Sequence, residues 1–171
     1  MTTDKKIIKY ADLAKVRRNV SKNRQTIAFT SGCYDMLHMG HIIHFNYCKS
    51  KGDILVVSVG NDQNVSELKG PSRPIVTESF RARHIAALAC VDYVVISEEM
   101  GIMDHNRMLE LLKPDIYVVP VSDKLLNAKK ELVSRNGGKV HTCRRIPPEH
   151  LKGGISTTKL EEKIRKNTSI L

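Results

Sequence analysis

The residues that could do chemistry stand together in Ser31-Gly32-Cys33-Tyr34-Asp35-Met36-Leu37-His38-Met39-Gly40-His41. They follow a short apolar stretch, Thr26-Ile27-Ala28-Phe29. They precede Ile42 to Lys51, where Ile42, Ile43, Phe45 and Cys48 are apolar among polar neighbours. That order reads as a strand, a glycine-bearing turn and a helix whose first turn lies near His41. A helix N-terminus carries unpaired N–H groups and the positive end of the backbone dipole, so it attracts phosphate. Gly40 has no side chain and admits a ligand close to the backbone. His38 and His41, three apart, can sit on one side of the turn and point at the same ligand atom. The spacing predicts a phosphate site with two imidazole donors. A structural zinc site would need four ligands in paired spacing, and the chain has no Cys-x-x-Cys. His44, His84, His105, His141 and His150 stand singly and read as hydrogen-bonded structural residues.

Two further stretches carry the same kind of chemistry. Leu68-Lys69-Gly70-Pro71-Ser72-Arg73-Pro74-Ile75-Val76 holds two prolines, a glycine and two cations, which makes it a loop. Such a loop could close over a triphosphate, or be ordinary surface. Near the end, Gly153-Gly154-Ile155-Ser156-Thr157-Thr158 opens a helix from Lys159 to Lys166. Its hydroxyls could cap free helical N–H groups, or join them in a second anion site. Asp62, after the second strand, could cap a short helix from Gln63 to Leu68 or meet a nucleoside.

The elements that must position these residues alternate regularly. Ile54–Val59, Tyr93–Ile96, Ile116–Val119 and Lys139–Cys143 are short runs rich in strand formers. The continuous apolar run of the first marks a strand buried on both faces of a parallel sheet. Helices are expected over Thr77–Cys90 with Thr77 as N-cap, over Asp104–Lys113 with an Asp cap, and through most of Val121–Arg135. Gly52 is expected to end the first helix in a left-handed conformation. The pattern predicts an α/β fold, a single Rossmann-like doubly wound domain with a five-stranded parallel sheet. Ligands in such sheets bind beyond the carboxyl ends of the strands, where the His-x-Gly-His turn falls. Ile8–Asn23 reads as an amphipathic helix packed on the domain, so that residues 1–171 form one unit.

Composition narrows the classes. At 171 residues and 41% hydrophobic the chain can bury a real core. It has no apolar run of membrane-spanning length, and Met1–Lys6 lacks the apolar stretch of a signal peptide. Four scattered cysteines suit reduced thiols, so a cytoplasmic location is expected. The net charge of +10 asks for a polyanionic partner. Nucleic acid is one option, but three Phe, five Tyr and no Trp offer little for base stacking. A triphosphate together with a phosphorylated acceptor needs several cations in one site and accounts for part of the charge.

Residues 31–41, with Ile155-Ser156-Thr157-Thr158 before a short final helix, resemble the signatures of the cytidylyltransferase-like nucleotidyltransferases. The similarity spans about 26–166. Within that family the Gly-Cys opening and the Lys69-Gly70-Pro71 loop are most similar to the heptose 1-phosphate adenylyltransferases, and next to the glycerol-3-phosphate cytidylyltransferases. The resemblance implies transfer of a nucleotidyl group from a triphosphate, favoured as ATP, to a phosphorylated sugar, favoured as heptose 1-phosphate, with release of pyrophosphate. A CTP-dependent enzyme acting on a polyol phosphate is the alternative, and a basic nucleic-acid-binding module the alternative of another class. The family pattern implies His38, His41, Lys69 and Arg81 as catalytic residues. Thr30, Ser31, Gly32, Cys33, Tyr34, Asp35, Gly40, Ser156, Thr157 and Thr158 fall at nucleotide-binding positions. Asp62, Arg73 and Asp123 are further substrate or phosphate contacts. Mg²⁺ would be held mainly through substrate phosphates, and dimers are common in the families resembled. One departure stands out. Where the family carries a Gly-Gly-Asp-Tyr or Gly-Asp-Asp-Trp turn, this chain has Pro120-Val121-Ser122-Asp123-Lys124, and only Asp123 corresponds. The stretch Arg144–Lys152 is also longer than the family's, and could shape a different acceptor pocket.

Overall fold

The computed structural model describes residues 2–144 and 157–168. Its centre is a parallel sheet with strand order β1-β4-β3-β2-β5-β6, built from β1 (Ile7–Ile8), β2 (Ile27–Gly32), β3 (Ile54–Val59), β4 (Tyr93–Ile96), β5 (Ile116–Pro120) and β6 (Lys139–Cys143). The sheet therefore has six strands, not five. The additional edge strand comes from Ile7 and Ile8, which pair with Val94 and Val95. Two residues are too few to show any strand period, and only the neighbouring β4 makes them a strand.

Chain order reverses direction at β2, whose neighbours are β3 on one side and β5 on the other. In a doubly wound sheet that is the switch point, where loops diverge and leave a crevice at the carboxyl ends. Successive β2 side chains alternate between the two faces. Ile27 and Phe29 pack beneath α2 (Tyr10–Lys22), α6 (Asn106–Leu112) and α7 (Leu126–Arg135). Ala28 joins α3 (Met39–Lys49) and α5 (Glu78–Ala86) on the other face, with Phe45, Cys48, Ala82 and Ile85. The remaining helices are the single turn α1 (Thr3–Lys6), α4 (Asp62–Lys69) and α8 (Thr157–Thr168).

Three aspartates fasten the amino ends of the strands, opposite the crevice. Asp53 accepts from Thr26 N–H, Asp92 from Leu55 N–H and Asp115 from Ile27 N–H, at 2.7 to 2.8 Å. Each sits just before one strand and holds the start of its neighbour, which fixes register where a one-residue slip would turn every side chain to the wrong face.

Several local expectations shift. Asn61, not Asp62, caps α4, with its Oδ1 accepting from Asn64 N–H at 2.7 Å. Asp104 caps nothing: its carboxylate accepts from Asn64 and His105 inside the protein, and α6 begins at Asn106. Thr77 stands at the N-cap of α5 without a side-chain cap bond, and that helix ends at Ala86 rather than Cys90. Val121–Leu125 forms a turn before α7 rather than its first helical residues. Gly52 is not left-handed. A Cβ there would lie 2.7 Å from the backbone nitrogen of Ala28, so the requirement is close backbone approach to β2.

Candidate active site

The turn after β2 runs directly into α3, whose N-cap is His38. His38 Nδ1 accepts from Gly40 N–H at 3.1 Å. A neutral imidazole that accepts at Nδ1 carries its hydrogen on Nε2, so the opposite edge of the ring is a donor. The His41 ring stacks on His38 with centroids 3.9 Å apart, and stands edge-on to Tyr34 at 5.3 Å. The two imidazoles thus meet face to face at the first turn of a helix, at the sheet's switch point. Both are partly exposed.

Tyr34 is the floor beneath them. Its φ of 51° bends the chain back under the turn, and its ring contacts Phe45 at 5.0 Å. A Cβ on Gly32 would lie 2.8 Å from Tyr34 Cζ, so this glycine makes room for the protein's own aromatic ring. Thr30, expected at the nucleotide, is interior: 1% exposed, with its hydroxyl donating to Val118 O and bonded to His44 Nε2. Ser31 and Cys33 are partly exposed at the crevice. His44, His105 and His141 are hydrogen-bonded to Thr30, Tyr117 and Tyr47, as single histidines were expected to be. His150 lies outside the described residues.

Asp35 faces the loop, not solvent. Its carboxylate takes Ile75 N–H at 2.8 Å, Val76 N–H at 2.9 Å and the Arg73 guanidinium. The basic loop is therefore latched onto the signature turn through Asp35, and Arg73 faces an aspartate. Lys69, the exposed last residue of α4, precedes Gly70, whose φ of 99° suits glycine.

Arg81, implied by the family pattern as a catalytic residue, lies in the interior. Its guanidinium is 0% exposed and donates to Val76 O, Cys33 O, Gly60 O and Asp62 Oδ1, the second of these very short and the other three at 2.7 to 2.8 Å. One side chain ties the signature turn, the end of β3 and the start of α5. That is the geometry of a positioning residue, with Asp62 as its counter-ion. Asp123 is likewise held, by Lys129 Nζ at 2.8 Å and Leu125 N–H at 2.8 Å.

Burial pushes the Asp35 carboxyl up, but the Val76 and Ile75 N–H groups and Arg73 outweigh it and hold it below the ordinary value. Asp123 follows the same pattern, with Lys129 outweighing burial. A carboxyl depressed in the folded state contributes stability that is fully present above its unfolded value of 3.8, and loses it as pH falls through the lower folded value. Melting temperature followed by circular dichroism is therefore expected to hold steady from neutral pH down to about 5 and to fall below about 4. The Asp35→Asn variant should show a shallower fall than the native chain.

The stretch expected as a second anion site is described only in part. Ser156 lies outside the described residues, as does the whole segment 145–155 before it. Thr157 and Thr158 begin α8. Among the described residues, no group of three or more His, Cys, Asp or Glu is arranged to hold a metal ion. Asp35 of the signature and Asp62 are held by Arg73 and Arg81. No helix among the described residues is long and apolar enough to cross a membrane.

The cytidylyltransferase-like family matches residues 29–163. The bifunctional protein HldE of Helicobacter pylori strain J99 is 40% identical over 159 residues, which cover 92% of this chain and 32% of that protein. The bifunctional protein HldE of Geotalea uraniireducens is 35% identical over 166 residues, 95% of this chain and 32% of its own length. The chain thus spans about a third of these curated relatives. A crystal structure of the lipopolysaccharide core biosynthesis protein from Thermoplasma volcanium superposes with a TM-score of 0.59 at 28% identity, covering 70% of this chain and 95% of that one. Pantoate-beta-alanine ligase from Francisella tularensis shares the fold, with a TM-score of 0.62 at 16% identity over 93% of this chain and 76% of its own. With more than half of its length matched, and with the histidine pair set at the switch point of the sheet, the chain belongs to the cytidylyltransferase-like family.

Proposed function

We propose that the chain catalyses nucleotidylyl transfer. A phosphate oxygen of a phosphorylated sugar attacks the α-phosphorus of a nucleoside triphosphate, favoured as ATP. The bond from that phosphorus to the bridging oxygen breaks and pyrophosphate leaves. The observation that carries this reading is the stacked His38–His41 pair at the N-terminus of α3, with the His38 hydrogen set on Nε2. Charge grows on the α-phosphate and bridging oxygens during transfer, and donors fixed in advance stabilise it there. Positioning does the remainder, since phosphoryl chemistry asks little covalent participation of a protein. Lys69 would neutralise the triphosphate, and Thr157 and Thr158, with Ser156, would hold its far end. Mg²⁺ would travel on the substrate phosphates, where it shields charge. Heptose 1-phosphate is the favoured acceptor, from the Gly-Cys opening and the Lys-Gly-Pro loop. The changed Pro120–Lys124 turn keeps CTP and a polyol phosphate as the second reading.

The test is pyrophosphate release from ATP, CTP, GTP and UTP with sugar 1-phosphates and polyol phosphates, beside His38→Ala. Release requiring one triphosphate and one acceptor is expected, with a rate at least a hundredfold lower in the variant. Triphosphate binding without release across the panel would mean a nucleotide sensor. Retention on nucleic acid with steep salt dependence and no turnover would mean a binding module.

A further inference from the structure

Behind the crevice lies a chain of buried polar groups that the proposed transfer does not use. Ser31 Oγ is 2.6 Å from Tyr117 Oη, Tyr117 Oη is 2.8 Å from His105 Nε2, and His105 Nδ1 is 3.0 Å from Asp104 Oδ1. Tyr117 and His105 are each 1% exposed, in contrast to Ser31 at the open end. The far end is anchored. Asp104 Oδ2 accepts from Asn64 Nδ2 at 3.0 Å, and Asn64 Oδ1 accepts from Gly101 N–H at 2.7 Å.

The chain has a direction. A carboxylate accepts and has no hydrogen to give, so His105 Nδ1 is the donor to Asp104 Oδ1. A ring that carries its one hydrogen on Nδ1 accepts at Nε2, and the Tyr117 hydroxyl then donates to it. Burial holds the Tyr117 phenol above its ordinary range, so it keeps its hydrogen. With its own hydrogen directed at His105, Tyr117 can only accept from Ser31. The Ser31 hydrogen is thereby drawn inward, and the oxygen turns its remaining lone pair to the crevice.

We infer that Ser31 is a hydrogen-bond acceptor for an uncharged donor of the substrate, a sugar hydroxyl or a base amine, set in that sense by Tyr117, His105 and Asp104. A phosphate oxygen, which only accepts, would meet lone pair against lone pair there. This gives Ser31 a different task from the phosphate-binding donors at His38 and His41, and makes Tyr117 a positioning residue. It rests on the nucleotidylyl-transfer reading above, since it needs a substrate in the same crevice.

The test is titration calorimetry on the full chain, native, Ser31→Ala and Tyr117→Phe, with melting temperatures as a check on folding. The probes are ATP, 2′-deoxy-ATP, 3′-deoxy-ATP, ITP and inorganic tripolyphosphate, with the corresponding series for another triphosphate if the native chain prefers it. For a donor on the nucleoside, Ser31→Ala should weaken triphosphate binding about tenfold and leave tripolyphosphate unchanged. One analogue lacking the donor should bind the native chain equally weakly, and the two losses should not add. Tyr117→Phe should reduce the same discrimination, which a merely structural role would not do. For a donor on the acceptor, triphosphate binding holds while the acceptor KM rises about tenfold in Ser31→Ala with kcat little changed. Equal weakening of triphosphate and tripolyphosphate would overturn the inference, because the hydrogen would then point outward. So would unchanged binding and unchanged KM in both variants. A native chain that binds no triphosphate would sink the reaction reading and this inference together, whereas native binding with Ser31→Ala unchanged in both triphosphate binding and acceptor KM removes only the inference.

Discussion

Replacing Arg81 with methionine is expected to lower stability by about 3–5 kcal/mol, seen as a fall in melting temperature of roughly 6–20 °C for a chain of this length. The guanidinium is fully buried and donates to three main-chain carbonyls and to Asp62. Methionine fills similar volume but leaves the carbonyls of Cys33, Gly60 and Val76 without that donor, and an unpaired buried polar group costs the larger part of its desolvation. The Asp62 carboxylate, partly exposed, recovers some of its loss from water. Arg81→Lys keeps the charge but offers one nitrogen where three spread donors are needed, so it should fall between native and methionine. Thermal unfolding and pyrophosphate release, measured on the same samples, separate two roles. A variant that melts within a degree or two of native yet has lost all turnover would make Arg81 a direct phosphate contact. Loss of both together makes it the tie between the signature turn, β3 and α5.

Asp35→Asn is expected to release the basic loop. The KM for the triphosphate should rise about 10–100-fold with a smaller change in kcat, and stability should fall by about 2 kcal/mol. The native carboxylate accepts from two consecutive amides and a guanidinium, and an amide of the same shape turns one acceptor into a donor facing them. Hydrogen exchange gives the direct readout, since the amides of Ile75 and Val76 should exchange faster while those of β2 and β3 do not. Unchanged exchange at these two amides would show that the loop is held by other contacts. The latch concerns the loop of residues 68–76, expected to close over a triphosphate or to be ordinary surface. A loop fastened through Asp35 can present Lys69 at a set position, and a released one would have to order it at each binding event, at a cost to affinity.

Much of this was local and therefore legible. Strand, turn and helix around His38 and His41 follow from residues two to four apart, the range over which side-chain alternation, helix periodicity and capping act. The buried runs at Ile54–Val59 and Ile116–Val119 announce a parallel sheet, because such strands are covered on both faces. Since a doubly wound sheet places its ligand beyond the carboxyl ends, the neighbourhood of the site came with the fold class. By itself, then, the sequence determined the class of fold and singled out the turn proposed to hold phosphate. Tertiary structure decided what the polar residues around that turn do. Asp35 meets Arg73 across 38 positions, Arg81 meets Cys33 across 48 and Ser31 meets Tyr117 across 86. No periodicity links residues so distant. They become partners only because the strand order sets β2 between β3 and β5, and because a buried charge or hydroxyl must find a partner wherever packing has put it.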